Sequence, residues 1–179
     1  MVDIKGTIEA GKGGLERLIG SIPGYKGYKE KDVRRDADKV LRVYIADRLD
    51  EQKRRLSDLQ LQLISSGQLD LLDDLESAVK KIQLLADRVR TATYGYVGFF
   101  DVIKVKEDQL DALYDFDNAL LDEVAKIAAA IEQVKTSLGT KENVAGSISN
   151  CVTIAQEAND TFDHREEVIL SGGTMGQVN

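Results

Sequence analysis

Few residues of this chain could do chemistry, and their spacing is poor for it. Its one histidine, His164, and one cysteine, Cys151, are its whole complement of imidazole and thiol. A di-iron or di-manganese centre in a helical bundle needs inward carboxylates and a Glu-x-x-His pair on each of two helices. His164 has Thr161 three residues before it and there is no second histidine, so that motif is absent. The run Asp163 to Glu167 around it reads as a solvated helix face. Cys151 falls on an apolar stripe, where a thiol behaves as a small inert hydrophobe, and without a second cysteine it forms no intramolecular disulfide. The glycine-rich Gly11-Lys12-Gly13-Gly14 lacks both the G-x-x-x-x-G-K-[ST] spacing and the preceding strand of a phosphate-binding loop. The expectation is a non-enzymatic protein with no catalytic residues, no cofactor and no metal.

Two acidic features remain. Asp108, Asp111, Asp115, Asn118 and Asp122 follow steps of three and four, which sets five oxygen-bearing side chains on one helix face. Such oxygens suit divalent cations, but a straight row offers only one or two ligands at a time. Salt bridges, with Arg34, Arg35, Lys39 and Arg42 as partners, are the expected use. Asp117 falls on an apolar seam, where a carboxylate costs several kcal/mol unless paired. A small helix rotation that turns Phe116 and Leu120 or Leu121 inward leaves Asp117 at the edge, and this is the expected arrangement.

The elements that must position these groups are long helices. Lys29 to Ser66 holds no Gly or Pro and carries Val33, Ala37, Val40, Tyr44, Ile45, Leu49, Leu56, Leu59 and Leu63, with Gln52 in the gap. Gly67 ends it with a left-handed stop signal. A second helix carries Leu72, Leu75, Val79, Ile82, Ala86 and Val89, with Asp70, Asp73 and Asp74 in its first turn, where the helix dipole favours negative charge. A third runs from about Lys106 to Leu138, with Leu110, Leu113, Leu120, Val124, Ile127, Ile131, Val134 and Leu138 at seam positions and Gly139 as its stop. A fourth, roughly Lys141 to Leu170, carries Val144, Ile148, Cys151, Ala155, Ala158 and Phe162. Small residues at Ala128 to Ala130 and Ala155 suit a close approach of the last two.

These stripes predict an all-α fold, an antiparallel up-down-up-down bundle of four long helices spanning 29–170. A hairpin that dimerises to complete its core is the structural rival. Residues 1–28 form a Gly-rich N-terminal arm, partly ordered and loosely held. Seven of the fifteen glycines fall before Tyr28, and Pro23 and Gly24 mark a boundary. Residues 171–179 read as a flexible tail.

If the first two helices fold back at Gly67, Tyr94, Tyr96, Phe99 and Phe100 gather with Tyr25, Tyr28 and Tyr44 at one pole. That cluster either plugs the bundle end or forms an apolar patch that docks a partner. Tyr94, Tyr96, Phe99 and Phe100 are thus the expected partner-binding residues.

With 179 residues and a net charge of -7, the chain makes one domain and is no general nucleic-acid binder, because phosphate demands clustered Lys and Arg. No leader-like segment and no apolar run of about 18 residues occurs, so a cytoplasmic protein that does not span a membrane is expected. The favoured function is a helical-bundle interaction or scaffold protein that binds a protein partner or itself. The alternatives are a peripheral membrane or envelope-stress adaptor, which uses a membrane surface without spanning it, and a metal-binding bundle. No small-molecule substrate is evident.

Overall fold

A computed structural model of the protein describes residues 16–27, 34–92 and 107–170, with side chains over 16–27, 36–92 and 114–164. All regular structure in these residues is helical. Helix α1 spans Arg34–Ser66, α2 Leu72–Thr91, α3 Glu107–Thr140 and α4 Val144–Leu170, and a single 3-10 turn, Leu69–Leu71, leads into α2. At about 1.5 Å per residue α1 and α3 are each roughly 50 Å long.

The reversal after α1 follows from one glycine. Gly67 takes a left-handed φ of 76°, so the Gln68 amide donates to the Leu63 carbonyl (3.0 Å) and the Gly67 amide to the Ile64 carbonyl (3.2 Å). This is the paired 6→1 and 5→2 closure that satisfies the last carbonyls of a helix. Gly139, by contrast, is not the stop its position implies. Helix α3 continues through it to Thr140, and the left-handed residue is Lys141 (φ 61°), with the Glu142 amide on the Ser137 carbonyl at 3.2 Å. Asn143 (φ 49°) then precedes α4 and lays its side chain across Gly146, where a Cβ would collide with it.

Side-chain bonds show how the helices pair. Between α1 and α2, Lys53 donates to Gln83, Arg90 meets Asp50 at 2.6 Å, and Arg42 donates to the Arg90 carbonyl at 3.4 Å. Numbers fall on one helix as they rise on the other, so the two run in opposite directions. Between α2 and α4, Lys81 donates to Gln156 (2.6 Å), Asn159 donates to the Lys81 carbonyl (3.0 Å), and Arg88 is paired with Asp163. Here the numbers rise together. Arg55 links α1 to Glu132 of α3 at 2.7 Å, and Asn150 of α4 donates to Gln133 of α3 at 3.3 Å. The large packed pairs are therefore α1 with α2, α3 with α4, α2 with α4, and α1 with α3; α2 and α3, consecutive in the chain, are not among them.

One apolar core results. Ile45, Leu49, Leu56, Leu59 and Leu63 of α1 meet Leu75, Ile82, Ala86 and Val89 of α2, and the α3 stripe from Leu120 to Val134 meets Val144, Ile148, Cys151, Ala155, Ala158 and Phe162 of α4. Gln52, in the gap of the α1 stripe, is buried, and its amide oxygen accepts from Arg55, which reaches on to Glu132. Residues 16–21 are helical, Leu18, Ile22 and Tyr25 are buried in the same core, and Arg17 pairs with Asp122 of α3.

Candidate functional site

The four aromatic residues expected to bind a partner, Tyr94, Tyr96, Phe99 and Phe100, lie outside the described residues, as does Tyr28. Of their expected companions, Tyr25 is buried and Tyr44 half-buried. Tyr44 lines an open groove of about 490 Å³ with Pro23, Val40 and Val43, and the Arg48 guanidinium lies over its ring at 5.2 Å.

The same region holds buried polar groups. Arg42 donates through Nε to Asp38 at 2.7 Å, with both side chains almost fully covered. Asp117 is 0% exposed, so the rotation expected to bring it to the edge of the seam does not occur. Phe116 is the half-buried residue instead, and Tyr114, Asn118 and Leu120 turn inward with Asp117. Asn118 donates to the Tyr114 carbonyl at 2.8 Å.

The acidic row is broken up accordingly. Asp115 is exposed, Asn118 is buried, and Asp122 is held by Arg17 of the arm; Arg42 is taken by Asp38 of its own helix, and the side chains of Arg34 and Arg35 lie outside the described residues. The side chains of Asp108 and Asp111 lie outside the described residues. Among the described residues no three His, Cys, Asp or Glu side chains are grouped to hold a metal, and no helix is long and apolar enough to cross a membrane. His164 is exposed on α4. Cys151 is fully buried, and that burial pushes its thiol pKa up to about 11, far from the thiolate a nucleophile needs.

The surface that sequence reading passed over lies at the opposite end, around the Gly67 reversal. Leu61 is 66% exposed, Ile64 53% and Leu69 59%. The cause is local. Leu59, Leu61 and Leu63 alternate with Gln60 and Gln62, a period of two inside a helix whose period is 3.6. Leu59 and Leu63, four apart, share the core face, and Leu61 between them is carried to the far side. Ser57, Gln60, Leu61 and Ile64 then form one stripe, and with Leu72 and Glu76 of α2 they line an open groove of about 400 Å³. The alternation was the available signal.

The sequence around this groove is mostly acidic. From Leu56 to Val79 there are five carboxylates, Asp58, Asp70, Asp73, Asp74 and Glu76, and no Lys, Arg or His. Asp58, Asp70, Asp73, Asp74 and Glu76 are all exposed. Glu76 is paired with Lys80 at 2.8 Å. Apolar side chains open to water within an acidic rim can bind a partner surface.

Compared with family models, with curated proteins and with solved structures, the chain matches none, so its function rests on its own residues.

Proposed function

We propose that this protein is a non-enzymatic interaction or scaffold protein, built as a bundle of four long helices that alternate in direction, with the N-terminal arm packed on its side. The opposed run of α1 and α2, the shared run of α2 and α4, and the single core of all four helices support that architecture. The observation that carries the function is the set of exposed leucine and isoleucine side chains at the Gly67 end. Scattered exposed apolar residues are ordinary, but contiguous ones mark binding surfaces. Leu61, Ile64 and Leu72 line one groove, with Leu69 close by in the chain, whereas Leu84 and Val43 stand apart from it on other stretches.

The test is site-specific photo-cross-linking in the native cell. A photoreactive residue at Leu61 or Phe99 should give a discrete cross-linked species, either a homodimer or one protein partner. The same residue at Lys135, on an exposed charged face, should not. Failure of both Leu61 and Phe99 to cross-link any protein would sink the reading.

A further inference from the structure

Resting on that reading, we infer that the groove at the α1–α2 reversal, lined by Leu61, Ile64 and Leu72, receives a basic amphipathic helix from a protein partner. Shape and spacing supply the apolar half of the argument. The α1 wall repeats at 57, 60, 61 and 64 and the α2 wall at 72 and 76, so the two helices flank a shallow trough of about two turns beside their reversal. A third helix packs into such a trough with an apolar stripe at i, i+3, i+4 and i+7.

Charge decides which helix. The twenty-four residues Leu56 to Val79 carry five carboxylates and no base, and Lys80, which follows them, is paired with Glu76, so the rim keeps a net negative charge. A second copy of this chain docking by the same face would bring two acidic rims together, and like charges brought together across an interface are unfavourable. An anionic bilayer would be repelled for the same reason. Lysine or arginine flanking an apolar stripe meets the rim with complementary charge and keeps long aliphatic stems against the leucines.

The test uses the full-length protein and three labelled synthetic helices of about five turns each. One has leucines at i, i+3, i+4 and i+7 among lysines, the second has the same composition in scrambled order, and the third replaces lysine by glutamate. Fluorescence anisotropy should show binding of the first alone, weakening as salt rises. Leu61→Ser with Ile64→Ser should weaken it at least about tenfold. Asp73→Asn with Asp74→Asn should weaken it severalfold and flatten the salt dependence. All four side chains are exposed, so circular dichroism should show unchanged helicity in both variants.

Equal binding of the ordered and scrambled peptides would overturn the inference, since charge alone would then suffice. So would unchanged affinity of the Leu61→Ser, Ile64→Ser variant. If no peptide binds but sedimentation shows a dimer that this variant abolishes, the basic partner is wrong and the interaction reading stands. If no peptide binds, no dimer forms and photo-cross-linking is silent, both fall.

Discussion

Asp38 and Arg42 form the most deeply covered ion pair among the described residues, and its energetics are asymmetric. Removing one partner leaves the other charge buried, which typically costs about 3–5 kcal/mol, while replacing both by apolar groups is often neutral. Arg42→Met should therefore lower stability by about 3 kcal/mol in urea unfolding, and Asp38→Leu with Arg42→Met should recover most of it. A double variant no more stable than Arg42→Met would show that the pair is held by more than its mutual charge. Asp50 gives a pH-dependent counterpart. Burial pushes its carboxyl pKa up, but the hydrogen bonds and positive charges of Arg90 and Lys53 outweigh that and hold it below the usual value. Its contribution is complete above the unfolded aspartate value of about 3.9 and is lost as pH falls from there through the folded value. The gap in urea midpoint between wild type and Asp50→Asn should be present at neutral pH and close on acidification. The residue scale is also where sequence reading was weakest. Asp117 was expected at the edge of the seam because a buried carboxylate is expensive, yet it is fully covered. Periodicity locates a helix face to within about one residue's rotation, and it carries no information on which neighbouring group meets a given side chain.

At the scale of elements the stripes were legible because each long helix repeats them many times. Every α4 residue expected inside is buried, as are Leu120, Val124, Ile127, Ile131 and Val134 of α3. Ala78 and Leu85 of α2 are buried too and were not expected. A helix packed on both α1 and α4 buries a wider face than a narrow seam, and that width depends on the neighbours, not on the helix itself. The end of α3 escaped prediction for a different reason. Glycine is favoured at a left-handed cap but not required there, and Lys141 holds the position with Gly139 inside the helix. A side chain in the left-handed region costs on the order of 1 kcal/mol. Lys141→Gly should therefore stabilise the protein by roughly 0.5–1 kcal/mol, and Gly67→Ala, at φ 76°, should destabilise it by a similar amount. Thermal unfolding of the two variants checks the signs, and a loss of stability in Lys141→Gly would reject the cap assignment.

For the whole molecule, heptad stripes say that four helices share a core but not which helices are neighbours. The bonds from Lys81 to Gln156 and from Arg55 to Glu132 set α2 beside α4 and α1 beside α3, so the proposed bundle places α2 and α3 on a diagonal although they follow one another in the chain. Side-by-side helix axes stand about 8–10 Å apart, and diagonal ones in a square array about 1.4 times farther. That difference can be read with paired cysteines in a Cys151→Ala background, since the native thiol is buried and its removal leaves only introduced pairs. Lys53 bonds Gln83 across α1 and α2, which puts Lys81 and Arg55 at similar heights. Lys81→Cys with Gln156→Cys and Arg55→Cys with Glu132→Cys should therefore close readily with a short thiol cross-linker. Lys81→Cys with Glu132→Cys, drawn from the same four positions and the same height, should not. Rapid closure of that diagonal pair, with slow closure of the other two, would mean that consecutive helices are neighbours throughout. The groove of Leu61, Ile64 and Leu72 would survive such a result, because it lies within the α1–α2 hairpin alone, while the placement of α3 and α4 behind it would have to be redrawn.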